Sequence, residues 1–189
     1  MNAPLDLRMD KKTFLQWVQT QEGRYELVGG RVVMQDTGSR DHKDVELAFY
    51  DVLRPRLSRR EWDLSVGNLS VEIGEETRIA DVMVEPAGLP RKLNVTDQPV
   101  LLVEVLSPSS MDADFNAKRR LYFTLPSLEI YIVASQDEPR IWIWQRSRDG
   151  ARTFPDTPVE TSDLAEPINL AQFSITVTLG EIYRDIFPA

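Results

Sequence analysis

The chain contains no cysteine. Disulfides, thiolate metal sites and cysteine nucleophiles are therefore excluded, and the composition suits a reducing cytoplasm. Histidine is nearly as scarce: His42 is the single one among 189 residues, so no multi-histidine zinc centre can be assembled. Any metal must be held mainly by oxygen, which favours magnesium, manganese or calcium. Long apolar runs are missing too. No stretch approaches the roughly 20 residues that cross a bilayer, and residues 1–10 show no apolar segment followed by small residues, so neither a membrane span nor a signal peptide is expected. Positive charge is in deficit: 22 Lys and Arg against 30 Asp and Glu leave a net charge of -8. Coating nucleic acid non-specifically needs clustered cations. Only local groups, Arg54, Arg56, Arg59 and Arg60 or Lys118, Arg119 and Arg120, could supply them, and such groups also read as solvated helix faces.

What is present suits a globular protein. Apolar residues make up 42% and charged residues 28%, and the length suits one domain, residues 1–189, with a core of its own. Apolar spacing predicts a short helix over residues 11–20. Two β-prone runs, 24–28 and 31–35, flank Gly29 and Gly30 and read as a tight hairpin. Ser39 or Asp41 can cap a helix reaching about Leu57, with Pro55 forcing a kink or an early end. Strands are predicted at 62–66, 69–73 and 79–84. The near-continuous apolar run 100–106 reads as a central strand covered on both faces. Ser107 to Ser110 breaks that run and offers a cap for a helix over 112–124. Strands follow at 129–134 and 140–145, then a closing strand and helical turn over 173–187. The expected fold is one mixed-sheet α/β domain, with an N-terminal helix and β-hairpin.

Two carboxylates interrupt the apolar strands. Alternation puts Glu104 on one face with Leu102 and Leu106, and Asp81 with Ile79 and Met83. A buried, unpaired carboxylate must take a proton, find a partner or bind a cation. Two on neighbouring strands would repel each other unless a hard dication lay between them. The alternative is that each sits at a strand end and reaches water or an arginine. Asp114, Lys118 and Tyr122 share one face of the following helix, near the end of the Glu104 strand. Lys118 could orient a water or offset developing negative charge, or simply pair with Asp114 along the helix.

Together these stretches resemble the Uma2 family of restriction-endonuclease-like proteins, within the PD-(D/E)XK nuclease superfamily. The matching pieces are residues 25–33 (Tyr-Glu-Leu-Val-Gly-Gly-Arg-Val-Val), His42, residues 80–84, residues 102–109 (Leu-Val-Glu-Val-Leu-Ser-Pro-Ser), then Asp114, Lys118, Arg119 and Tyr122, residues 130–133, and the closing segment. The most specific piece is residues 103–109 followed by the Asp, Lys and Tyr spacing. The resemblance implies a restriction endonuclease-like α/β fold, a central mixed β-sheet flanked by helices, with a magnesium site at Asp81 and Glu104. It further implies that Glu26 contributes a third acid, although a glutamate at that hairpin position is ordinarily on an exposed face. His42, Asp114 and Tyr122 are accessory candidates, although a histidine just inside a helix start, as His42 is, is more often a structural hydrogen-bonder. The pattern departs from the superfamily where Leu106 occupies the usual lysine position, which leaves Lys118 to supply the amine. Ala80 replaces a proline, residues 125–128 replace a Gly-Val step, and Ala134 replaces an acid.

The resulting expectation is a magnesium- or manganese-dependent endonuclease acting on nucleic acid, DNA by preference, in the cytoplasm and away from membranes. Asp81, Glu104, Lys118 and Glu26 would carry the chemistry. A second reading is a nuclease-fold binding or regulatory module without turnover, favoured by the acidic charge and Leu106. A third is a homo-oligomer such as a homodimer, prompted by Trp142 and Trp144 alternating with Ile141 and Ile143 on one strand.

Overall fold

Hydrophobic periodicity sets the elements of the computed structural model, which describes residues 3–36, 38–90, 94–106 and 113–187, with the side chains of 3–6 and 113–115 outside that description. The chain opens with β1 (Ala3–Arg8) and α1 (Lys11–Trp17), the latter capped by Asp10, whose side chain accepts from the Thr13 N–H. The hairpin β2 (Tyr25–Val28) and β3 (Arg31–Met34) turns through Gly29 and Gly30, both at positive φ, as its tight turn requires. Helix α2 (Arg40–Leu53) follows, with Ser39 accepting from the His42 N–H at its start. It stops at Leu53 and not Leu57 because Pro55 has no N–H to continue the ladder.

Next come β4 (Trp62–Val66), β5 (Ser70–Ile73), β6 (Glu76–Ile79), β7 (Val82–Pro86), the two-residue β8 (Val95–Thr96) and β9 (Leu101–Leu106). Helix α3 (Ala113–Tyr122) leads to β10 (Ile130–Ser135), β11 (Ile141–Gln145), β12 (Val159–Thr161), β13 (Pro167–Leu170), β14 (Ile175–Thr178) and α4 (Leu179–Tyr183). The break and cap expected at Ser107 to Ser110, and the start of α3 at Asp112, lie outside the described residues.

Two six-stranded sheets result, ordered β1-β3-β2-β6-β5-β8 and β12-β11-β10-β9-β7-β4, with β13-β14 as a separate pair. The second sheet is mixed: β9 runs parallel to β10 and antiparallel to β7. As the apolar run predicts, β9 is covered on both sides. Leu101, Val103 and Val105 enter the core beneath α2 and α4, while Leu102 enters the one on the α3 side. Each of these side chains contributes on the order of 1.5–3 kcal/mol by leaving water. Strand β11 is likewise covered within the chain: Ile141 and Ile143 pack into the first core, Trp144 into the second with Trp142 against it. That apolar double face makes no demand for a second subunit.

One predicted strand is divided. Residues 79–84 do not run as a single element: the chain leaves the first sheet after Ile79 and enters the second at Val82. The backbone between them is satisfied elsewhere. Asp81 N–H donates to Val103 O at 3.1 Å, and Asp81 O accepts from Gly67 N–H at 2.8 Å. Asp81 therefore stands at the junction of the two sheets and not mid-strand beside Ile79 and Met83.

Candidate active site

The junction puts Asp81 directly across from Glu104. Beyond its N–H bond to Val103, Asp81 accepts the Val105 N–H on Oδ2 at 2.7 Å. These two bonds straddle residue 104 and fix the separation of the two acids through the backbone. Both are buried, Asp81 at 7% and Glu104 at 4% exposure.

Helix α3 closes over Glu104. Lys118 Nζ lies 2.8 Å from Glu104 Oε2, and the Tyr122 hydroxyl donates to Oε1 at 2.8 Å. The i, i+4 spacing of these residues brings both onto one carboxylate. Asp114 lies on the same helix, but its side chain is outside the described residues.

Glu26 reaches the same place from the hairpin. Strand β2 is internal to its sheet, between β3 and β6, and Leu27 fills the core under α1. Alternation turns Glu26 the other way, toward the junction. It is 2% exposed, against the ordinary expectation of a solvated hairpin glutamate. Its Oε1 accepts from Ile79 N–H at 2.9 Å and lies 3.8 Å from Lys118 Nζ, and its Oε2 accepts from Arg78 at 3.3 Å.

On the opposite flank, α2 supplies His42. Its Nε2 is 3.2 Å from Asp81 Oδ1 and 2.9 Å from Glu46 Oε1. Glu46 is 1% exposed and takes both of its oxygens to Lys43 Nζ at 2.7 Å. His42, Glu46 and Asp81 offer ligand atoms that all lie within 4.8 Å of one another. The sequence reading overlooks Glu46, although the signal exists: it lies in the buried stripe with Phe49 and Leu53, one turn beyond His42. It also overlooks Arg24, whose Nη2 is 3.9 Å from Asp81 Oδ1.

Charge decides which groups ionise. Burial pushes the Asp81 carboxyl up, but the hydrogen bond and charge of His42, the charge of Lys118 and the Val105 N–H outweigh it and leave it below its ordinary value. Glu104 goes the other way. Burial pushes it up to about 7, with Asp81 adding to the rise while Lys118 and Tyr122 oppose it. Burial disfavours the His42 imidazolium, yet its bonds to Asp81 and Glu46 win and raise it to about 9. Lys118 is raised as well: its burial penalty is overcome by Glu104, Glu26 and Asp81. Two acids poised in opposite directions beside a fixed ammonium are the arrangement expected of an acid–base or cation-binding site.

The donor set suits a hard dication. Asp81 and Glu104 offer buried oxygens held in register by backbone bonds, and the rise at Glu104 comes first from burial and then from the charge of Asp81, which a cation would offset.

Comparison with known proteins agrees with this fold. Residues 12–178 match the Uma2 family, described as "Putative restriction endonuclease". The chain belongs to the Uma2 family. Two relatives come from Synechocystis sp.: the uncharacterised protein slr1290, 23% identical over 182 residues (95% of this chain, 93% of the relative), and the uncharacterised protein sll1609, 26% identical over 141 residues (72% and 80%). The crystal structure of a nuclease, titled putative and assigned to DUF820, from Anabaena variabilis superposes with a TM-score of 0.67. It is 12% identical and covers 92% of this chain and 98% of its own, a likeness that establishes the mixed α/β fold. No described helix is long and apolar enough to cross a membrane.

Proposed function

We propose that this chain acts as one domain, a divalent-cation-dependent endonuclease that hydrolyses phosphodiester bonds of nucleic acid, with DNA as substrate and magnesium or manganese as the ion. One observation carries the reading: Asp81 is held across from Glu104 by its N–H to Val103 O and by its Oδ2 accepting the Val105 N–H, on either side of residue 104, with Lys118 aimed between Glu104 and Glu26.

In this reading Asp81 and Glu104 hold the ion. When bound, it polarises the phosphoryl oxygens and lowers the pKa of a coordinated water. Lys118 has three N–H donors, one of them committed to Glu104, and the others serve to orient a water or to stabilise charge gathering on the phosphoryl group. Glu26 is a positioning residue: it anchors the backbone two residues before Asp81 and steadies the Lys118 ammonium. His42, itself bridged to Glu46, orients the outer oxygen of Asp81. Tyr122 fixes the rotamer of Glu104. The absence of cysteine suits a cytoplasmic setting.

Asp81→Asn and Glu104→Gln test the assignment. Each is expected to abolish magnesium-dependent cleavage of plasmid and oligonucleotide DNA while circular dichroism stays that of wild type. Full cleavage by both variants would remove the two acids from the chemistry. A second reading, a nuclease-fold binding module without turnover, draws on both Glu104 oxygens already being engaged by Lys118 and Tyr122. Calorimetric titration with magnesium and manganese separates the two readings, since a module of that kind takes up neither ion.

A further inference from the structure

Most cations around the site already sit in close ion pairs. Lys118 is paired with Glu104, Lys43 with Glu46, and Arg78 with Glu26 and Glu76; His42 bridges Glu46 and Asp81. Arg24 differs. Among the described residues its one ionic contact is the loose 3.9 Å approach of Nη2 to Asp81 Oδ1, and its buried Nε has no hydrogen-bond partner there. No side-chain hydrogen bond from this guanidinium exists among the described residues.

Its placement is built. The guanidinium packs against Gly67, where an added Cβ would stand 3.5 Å from Cζ, Nη1 and Nη2 alike, so the glycine lies across the flat of the group. Gly67 holds φ at +58°, in the left-handed region that favours glycine, and its N–H is fixed to Asp81 O at 2.8 Å. Arginine donates only in its own plane, so contact across the flat leaves its N–H edges unspent. The side chain is 22% exposed, so the group remains reachable from outside. An always-charged fork with unmatched donors, at the lip of an acidic cluster, has the geometry for two oxygens of one phosphate.

We propose that Arg24 is the phosphate clamp of this site: it takes two non-bridging oxygens of one backbone phosphate and seats the nucleic acid against Asp81. This rests on the nuclease reading for the identity of the ligand, a DNA phosphodiester. In a chain of net charge -8, one unspent arginine beside the acids carries an unusual share of phosphate recognition.

The test is binding of fluorescein-labelled DNA, duplex and single-stranded, to wild type, R24K and R24Q over a range of salt, with calcium replacing magnesium. R24Q is expected to bind at least about tenfold more weakly, and its slope of log affinity against log salt on duplex should fall by about one. R24K keeps the charge, and so the slope, but loses the fork and binds with intermediate affinity. Wild-type affinity and slope in R24Q overturn the clamp, as does failure of wild type to bind either DNA. Should R24Q not fold, unchanged affinity in R24K overturns it equally. Cleavage in magnesium is read separately on the same proteins. A wild type that binds through Arg24 but never cuts keeps the clamp and removes the nuclease assignment. A wild type that cuts, with R24Q unchanged in affinity and slope, does the reverse.

Discussion

Because His42 is the only histidine in the chain, its titration can be followed without ambiguity. In the metal-free protein its imidazolium is held by Asp81 and Glu46, and its pKa stands at about 9 against an ordinary 6.5. At 1.36 kcal/mol per pH unit that gap is worth about 3 kcal/mol. The ring is 16% exposed, and solvent screening trims the figure to about 2 kcal/mol. The sign follows from the raised pKa. Below about 6.5 the imidazolium exists in both folded and unfolded chains, and its contribution to stability is complete. As the pH climbs from there through about 9, the folded protein must surrender a proton that the unfolded chain has already lost, and the contribution disappears. Imidazole NMR in EDTA should give a midpoint near 9, lowered in Asp81→Asn and in Glu46→Gln. Urea unfolding should show wild type exceeding His42→Gln at pH 6 by more than at pH 9.5, the difference shrinking by about 2 kcal/mol. A midpoint at or below 6.5, or a difference that does not change with pH, refutes this account of the cluster.

Tyr122→Phe removes the hydroxyl donor from buried Glu104 and is expected to destabilise the metal-free protein by about 1–2 kcal/mol in denaturant unfolding; a variant as stable as wild type would show that the bond contributes nothing. Gly180→Ala places its Cβ 2.9 Å from the Leu164 carbonyl oxygen. That contact should lower the melting temperature, opposite to the usual gain of alanine over glycine in a helix. Calorimetry decides the sign.

Much of this architecture is legible locally. The run at residues 100–106 contains too little polarity for a strand with a wet face, and β9 is buried on both sides. Ser39 opens α2 where a capping side chain is expected, and the Gly29-Gly30 turn falls between two alternating runs. The division at Ala80 and Asp81 is not local. Nothing in residues 79–84 breaks a strand; the backbone departs because Val103 and Gly67 offer it partners from other elements. Strands β1, β8, β12 and β13 are short or lie at sheet margins, where pairing is decided by the neighbour more than by propensity. The site divides the same way. Glu104 with Lys118 and Tyr122 can be placed from alternation and helical spacing, whereas Glu46 and Arg24 meet Asp81 only across long chain separations. Glu26 shows the limit of a local prior: an isolated hairpin would expose it, whereas in the folded chain it is buried against Arg78 and Ile79 of β6 and Lys118 of α3.

The seam at Asp81 has a consequence for how the molecule comes into being. Glu26 belongs to the first sheet with Arg24 just ahead of its strand, Glu104 to the second sheet, Lys118 to the helix that follows β9, and Asp81 to the crossing between the sheets. On a growing chain, the acids and the ammonium cannot meet until residue 118 has left the ribosome and the two sheets have docked. A half-made or half-unfolded copy thus holds all of its early side chains and none of the constellation. Whatever reactivity the cluster possesses is confined to molecules that have finished folding, and its loss should report sheet separation before secondary structure melts.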